Sequence, residues 1–276
     1  MRVNETLIAS CTGIQDKALK KRLLARESDL STAEKAYTDA AASDDLYALA
    51  LKAQATQESS PDPDSSELVK LYKAGLVGRK AGRVKYEALK AGAPFGRCPL
   101  CGNGEVHTLD HHLPKESYPL YAITPANLVP ACGKCNLAKG DRIGTTADQR
   151  TLHPYYDHPG ESGRFLIADI DRWPVRFRIQ PLPQWSTELT HRVSHHFEIF
   201  DLARRFAEFA VSPVVENQWL HRRLLHTSGP VSLGEHLLED ADQHAKTHGL
   251  NTWGTALRYG LATSAWYVEH GVHQAP

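Results

Sequence analysis

The feature that most constrains this chain is a set of two Cys-x-x-Cys pairs, Cys98 with Cys101 and Cys132 with Cys135, separated by 30 residues. Four thiolates are a complete ligand set for a tetrahedral structural zinc ion, and such a site leaves no open position for substrate or water. The sequence therefore predicts a zinc clasp that holds structure and performs no chemistry. We interpret the fifth cysteine, Cys11, as a small apolar residue on a helix face.

Composition limits the remaining classes of protein. The 276 residues are 41% hydrophobic, which is enough for one sizeable domain or two small ones. The formal net charge is zero, which argues against a protein that coats nucleic acid through its overall charge. The first residues show no basic segment followed by an apolar run, and nowhere do about 18 apolar residues follow one another. We therefore expect a cytoplasmic protein that does not associate with membranes.

The predicted fold class is mainly α with a small α+β core. We expect an N-terminal helical region over residues 1–66, which ends in the Pro-, Ser- and Asp-rich loop 57–66. Residues 67–150 are predicted to hold a basic helix and the zinc-clasped core. Residues 151–276 are predicted to form a hairpin and a second helical region.

Within the last region, the run Val175–Ile179 alternates apolar and charged residues, as a half-exposed strand does. It would pair with 164–170 across a turn at 171–174. Helical periodicity then returns, and Pro213 is predicted to kink or end that helix. Trp219, beyond the proline, is predicted to lie in the core.

The stretch from Lys70 to Arg97 is the most basic part of the chain, with eight Lys or Arg residues and one acid. On a helix, Arg79, Arg83, Tyr86 and Lys90 would gather opposite an apolar stripe. This face is either an ordinary solvated surface or a contact to phosphate, and its position directly before Cys98 favours phosphate contact. The expected apolar stripe consists of Val77, Ala81, Val84, Ala88 and Ala91.

Polar residues between the two Cys pairs are suited to chemistry. Asp110 would lie on a short strand, 109–114, and Asn136 on a helical turn that Gly140 closes. Their carboxylate and amide oxygens are hard ligands that suit Mg²⁺ or Mn²⁺. His111, beside such an ion, could take a proton from water. A base and a cation are what hydrolysis of a phosphodiester requires.

Three elements of this stretch resemble the HNH endonuclease family, also called ββα-metal or His-Me finger nucleases. They are Asp110-His111-x-x-Pro114, the middle element Asn127-Leu-Val-Pro130, and Asn136-x-x-Lys139 at the end of the second Cys pair. The match covers about 45 of the 276 residues. It implies a ββα-metal motif clasped by the zinc and flanked by helical regions.

The resemblance also implies roles. His111 would activate water, Asp110 and Asn136 would hold one divalent ion, and Asn127 would pin the loop behind His111. His112 is a second candidate for the base, unless it is a strand residue that faces the other way. Asn136 stands where many family members have a histidine, and an amide favours Mg²⁺ or Mn²⁺ over zinc at the catalytic position.

Two lysines near these elements, Lys115 and Lys139, are candidates for contact with phosphate, although an exposed lysine is usually just solvated. Together with Arg79, Arg83 and Lys90 they form the predicted nucleic-acid-binding set.

The leading hypothesis is therefore a metal-dependent endonuclease that nicks one strand of DNA per active site. A double-strand break would need two protomers or two binding events, so a homo-oligomer is one expectation. The flanking regions and the pattern His153-Pro-Tyr-Tyr-Asp157 also loosely resemble HNH proteins encoded beside ATPases in bacterial anti-phage systems. This implies an ATPase or another targeting subunit as a partner. The alternative is a non-catalytic, zinc-stabilised module that binds nucleic acid or protein.

Overall fold

The computed structural model describes residues 1–59, 65–144, 146–161, 163–274 and 276. Within these ranges the chain is mainly helical, with two antiparallel two-stranded hairpins. Contacts divide the chain into two units, Met1–Asp157 and His158–Pro276. Of the predicted loop over 57–66, residues 57–59 and 65–66 are helical, and residues 60–64 lie outside the described residues.

The first unit contains seven α-helices and one hairpin among its described residues. Helix α5 continues directly into a π-helical turn, Leu71–Val77. Antiparallel pairing sets Asp110 opposite Val129 and His111 opposite Leu128. The elements are α1 (Val3–Cys11), α2 (Lys17–Ala25), α3 (Glu27–Ala42), α4 (Leu46–Ser59), α5 (Ser65–Lys70), α6 (Lys80–Ala91), β1 (Thr108–His111), β2 (Leu128–Ala131) and α7 (Gly133–Lys139).

The N-terminal helices share a core with the elements around the Cys pairs. Leu7 and Leu30 pack in the same cluster as Leu76, Leu109 and Leu128, and all five are at most 3% exposed. Cys11 belongs to this cluster as well, which confirms its interpretation as a small apolar core residue. The predicted boundary between residues 66 and 67 therefore falls inside one packed unit. The second predicted boundary, after residue 150, also lies inside this unit, seven residues before its end at Asp157.

Helix α6 is rotated relative to the prediction. Its buried residues are Gly82 and Tyr86, whereas Val84, from the predicted apolar stripe, is 63% exposed. A Cβ atom at Gly82 would lie 2.1 Å from the carbonyl oxygen of Gly75, so α6 crosses the π-helical turn at a contact that needs glycine. The hydroxyl oxygen of the buried Tyr86 accepts a hydrogen bond from the Leu109 N–H (3.1 Å), so this polar atom has a partner in the core.

The second unit packs its hairpin against helices. Strands β3 (Leu166–Asp169) and β4 (Arg176–Ile179) pair as predicted, with Ala168 opposite Phe177. Phe177 contacts Phe206 edge to face, with ring centroids 5.6 Å apart. The helices of this unit are α8 (Thr187–Ile199), α9 (Leu202–His248), α10 (Trp253–Thr263) and α11 (Ala265–Glu269).

Helix α9 bears on two predictions. Pro213 lies inside it without ending it, and the non-helical backbone within the element is at Gly229, where φ is +82° and Pro230 follows. Trp219 is 67% exposed and is not a core residue, because the buried face of α9 is formed by Phe206, Ala210 and Val214 instead. In the described ranges, none of the helices combines the length and the apolar character that crossing a membrane requires.

Candidate metal centre and active-site cleft

The two Cys pairs meet in one buried cluster. Cys98, Cys101, Cys132 and Cys135 are each at most 6% exposed, and their four sulfur atoms all lie within 4.8 Å of one another. Tetrahedral zinc with Zn–S bonds of about 2.3 Å needs sulfur atoms about 3.8 Å apart, so a small contraction brings the four thiolates to bonding distance. This cluster can hold a zinc ion, and it offers four soft ligands without an open position.

The loops around the cluster contact the sulfur atoms through backbone N–H groups and leave room for them. The N–H groups of Gly104 and Cys135 donate to the sulfur atoms of Cys101 (3.4 Å) and Cys132 (3.5 Å). A Cβ atom at Gly104 would lie 2.7 Å from the Cys132 sulfur, so a larger residue there would push into the cluster. Gly102 has φ of +67°, a conformation that L side chains rarely adopt. The donor set and its cradle fit a structural zinc ion.

A cleft of about 450 Å³ opens beside β1 and α7. Asp110 and His111 of β1 line it together with Asn136 of α7, so the structure gathers three of the predicted catalytic residues at one surface. The Cys cluster positions Asn136, because Cys132 is the N-cap residue of α7 and Cys135 directly precedes Asn136 on that helix. The helix ends where predicted, at Gly140 with φ of +53°.

The tautomer of His111 is set by one hydrogen bond, and its protonation state by burial. Its Nε2 atom lies 2.9 Å from the carbonyl oxygen of Ala122. Because a carbonyl can only accept, Nε2 must carry the hydrogen and Nδ1 keeps its lone pair. Burial lowers the pKa of His111 to about 3, so the imidazole is neutral near pH 7. His111 is thus a neutral ring whose Nδ1 atom is unprotonated.

Asn127 ties together the loop that follows β1. Its side-chain oxygen accepts from the Leu113 N–H (2.7 Å), while its amide nitrogen donates to the carbonyl oxygens of Leu113 (2.9 Å) and Tyr121 (3.1 Å). Its own carbonyl oxygen accepts from the N–H of His112 (2.9 Å). Asn127 is fully buried and does not line the cleft, so it acts on the backbone around His111.

Asp110 carries the carboxylate of the cleft and is 5% exposed. Burial raises its pKa to about 6, although the nearby ammonium group of Lys139 acts in the opposite direction. The Lys139 nitrogen lies 3.2 Å from Oδ2 of Asp110 and donates to the carbonyl oxygen of His111 (2.6 Å). Lys139 is 2% exposed, so the prediction that it contacts phosphate does not fit its position.

His112 belongs to a different environment from His111. It is buried with its ring against that of His153, at a centroid distance of 4.3 Å, and it does not line the cleft. Nε2 of His153 lies 3.0 Å from the hydroxyl of Tyr37. His112 therefore faces the other way, as the alternative interpretation of this residue expected.

Several residues of the cleft were not predicted as site residues, and two of them, Tyr72 and Lys73, bear on its chemistry. Tyr72, on the π-helical turn, meets the ring of His111 edge to face at 4.4 Å, and Lys73 follows it at the cleft. A π-helical turn, which often marks a functional position, has no reliable signal in a single sequence. The run of basic residues did contain Lys73, but nothing in the run distinguishes it from its neighbours.

The other predicted basic residues differ in position. Lys115 lines the cleft, with 20% of its side chain exposed and its nitrogen 5.9 Å from the centre of the Tyr72 ring. Arg83 and Lys90 both pair with Glu87, at 2.5 Å and 3.2 Å. Arg79 precedes α6 and donates to the carbonyl oxygen of Ser10 (3.4 Å). These last three do not line the cleft, and their contact with phosphate stays a prediction.

Comparison with known proteins adds one relative. The chain is 29% identical over 154 residues to "Protein ea31" of Escherichia phage lambda. The match covers 51% of this chain and 49% of ea31, so the chain spans about half the length of that relative. No family model matches the chain, and no solved structure does.

Proposed function

We propose that this chain is a metal-dependent endonuclease of the HNH type that hydrolyses phosphodiester bonds in DNA and nicks one strand per active site. The observation that carries the proposal is the hydrogen bond from His111 Nε2 to the carbonyl oxygen of Ala122. It leaves Nδ1 as the basic atom of a neutral imidazole in the cleft that Asp110 and Asn136 share. A buried histidine that served packing alone would not need these two oxygen ligands beside it.

The role of His111 follows from its protonation. Nδ1 accepts a proton from the attacking water as the water oxygen bonds to phosphorus, and the imidazolium that forms stays anchored to Ala122 through Nε2. The bond from phosphorus to the leaving oxygen breaks, the phosphate product keeps the hydroxyl group of the water, and the leaving oxygen takes up a proton from solvent. The imidazolium then releases its proton to solvent, which restores the base. The buried Asn127 holds the loop that contains the Ala122 carbonyl, because its amide donates to the neighbouring Tyr121 carbonyl. Asn127 is thus a positioning residue.

Asp110 and Asn136 fit a divalent cation because they present hard oxygen atoms at one cleft. An ion of the Mg²⁺ or Mn²⁺ class, when bound there, supplies positive charge against the phosphate and the leaving oxygen. Asp110 would offer Oδ1, since Oδ2 already faces the Lys139 ammonium. Lys73 and Lys115, which line the same cleft, are suited to the flanking phosphates of the strand.

Targeting by another protein is part of the proposal. The chain has a formal net charge of zero, so strong unaided attraction to DNA is not expected. An ATPase or another subunit that delivers the nuclease to DNA would supply the missing affinity. Together with the loose resemblance to nucleases of anti-phage systems, this supports a role as the effector of such a system.

The test is incubation of supercoiled plasmid with the zinc-loaded protein and Mg²⁺ or Mn²⁺. We expect nicked circles from the wild type, none in EDTA, and a rate at least about 100-fold lower for His111→Ala. His107→Ala is the matched control because His107 is exposed and does not line the cleft. If His111→Ala and wild type behave alike, the chain is better explained as a non-catalytic zinc module.

A further inference from the structure

The first part of helix α9 carries a row of large apolar side chains that are exposed. Val211, Val215 and Trp219 follow one another at intervals of four residues and are 41%, 51% and 67% exposed. The buried residues of this stretch, among them Val214 and Gln218, lie on another side of the helix. Three large apolar side chains in one exposed row are more than the scattered single residues of an ordinary surface.

Charged residues extend this row at both ends. At 100° per residue, Glu208 and Arg222 lie within about 20° of Val215, on the line of the apolar row. Both are exposed. Arg223 stacks over the Trp219 ring at 5.3 Å and covers part of that side chain. The face thus has an acid towards its N-terminal end, apolar residues in the middle and a base towards its C-terminal end.

The spacing of these residues is symmetric about Val215. Val211 and Trp219 are each four residues from it, and Glu208 and Arg222 are each seven residues from it. Two copies of a helix can meet antiparallel across a two-fold axis that passes beside Val215. Each residue of one copy then lies level with the residue of the other copy that is equally far from Val215 in the opposite direction along the sequence. Val215 then meets its own copy, Val211 meets Trp219, and Glu208 meets Arg222.

We propose that this face, which we call the α9 stripe (Glu208, Val211, Val215, Trp219 and Arg222), binds a second copy of the same chain in an antiparallel two-fold dimer. The charge pattern favours this occupant, since it is self-complementary in the antiparallel arrangement and would set Glu against Glu in the parallel one. A seam of this length is small, so the dimer is weak and depends on concentration. The inference does not rest on the proposed nuclease activity.

Sedimentation velocity of the zinc-loaded full chain, from about 1 to about 200 µM, tests the dimer. We expect a monomer–dimer equilibrium for the wild type and a monomer for Val215→Arg, which places two like charges face to face. Val231→Arg is the matched control, because Val231 is a 73% exposed valine of α9 outside the stripe. A wild type that stays monomeric overturns the proposal and assigns the stripe to a different protein or to a lipid surface. Equal dimerisation of the two variants also overturns it.

A charge exchange gives a second test that misfolding cannot imitate. Glu208→Arg and Arg222→Glu should each weaken the homodimer at least about tenfold, since each places like charges level with one another. Mixed in equal amounts, the two variants should form a heterodimer that contains two ion pairs. One is the original pair of Glu208 with Arg222, and the other joins the two substituted residues with the charges exchanged. Mixing that restores no association overturns the antiparallel register.

Discussion

The side-chain nitrogen of Lys139 lies 3.2 Å from Oδ2 of Asp110 and 2.6 Å from the carbonyl oxygen of His111, and 2% of the residue is exposed. One ammonium group thus connects helix α7 to the two adjacent β1 residues on which the proposed chemistry depends. Removing one partner of a buried ion pair costs more than the pair itself contributes, because the other charge stays buried.

Lys139→Met should therefore lower the free energy of unfolding by about 3–5 kcal/mol and abolish nicking. Denaturant titration of the zinc-loaded protein measures the first effect, and the plasmid assay measures the second. Lys134→Met on the exposed side of the same helix is the control and should change neither. An unchanged stability would show that Lys139 does not hold Asp110 in place.

Loss of a single ligand from the Cys cluster should release the metal. We expect about one zinc per chain in the wild type and none in Cys135→Ser, because four thiolates form one tetrahedral site. The variant should also melt earlier, since the binding free energy of a structural zinc contributes to folding. Cys11→Ala, a buried cysteine outside the cluster, should keep its zinc. Elemental analysis that finds equal zinc in both variants contradicts the assignment.

Binding of Mn²⁺ should weaken in acid because of Asp110. Its pKa of about 6 is above the usual value, so below pH 6 the carboxyl group is mostly protonated and must lose that proton to bind a cation. The apparent dissociation constant should then rise by about tenfold per pH unit below 6. Titration of the protein with Mn²⁺, followed by electron paramagnetic resonance at several pH values, measures it. Asp110→Asn should bind weakly with no such slope; a flat wild-type curve would exclude Asp110 as the titrating ligand.

His221 should make the second unit sensitive to acid. Burial lowers its pKa to about 4, and its Nδ1 lies 2.7 Å from the hydroxyl of Tyr267. Between pH 6.5 and 4 the unfolded chain takes up a proton that the folded one does not, so stability falls as the pH falls. The loss should reach at most about 3 kcal/mol. Denaturation at pH 7 and pH 4.5 should show a smaller loss for His221→Gln; identical losses would assign the effect to other groups.

The Cys cluster and the ββα order were predictable because their signals are local. Ligand spacing, the Asn136 to Gly140 turn and the alternation of β4 are properties of neighbouring residues in the chain. The orientation of α6 was not predictable, since its alanines form no strongly apolar stripe and the decisive contact joins Gly82 to Gly75 on another element. The burial of Lys139 was missed for a related reason, because its partners Asp110 and His111 are about 30 residues away.

Trp219 shows a different limit of sequence reasoning. Periodicity predicted a helix there, and we expected its tryptophan to lie in the core. Periodicity shows which residues share a face of a helix, but it does not show which face packs against the rest of the protein. On α9 the buried side is formed by Phe206 and Val214, and the exposed row is the one that contains Trp219.

The contact between His153 and His112 has a consequence for the design of fragments. The predicted boundary after residue 150 would end a fragment at Arg150. It would lack His153, whose ring packs on His112 and whose Nε2 atom is the partner of the Tyr37 hydroxyl. It would also lack Tyr155, whose hydroxyl donates to the Leu128 carbonyl (2.9 Å). The shortest piece that preserves these contacts ends at Asp157, whose carboxylate accepts from the N–H of His153 (2.6 Å).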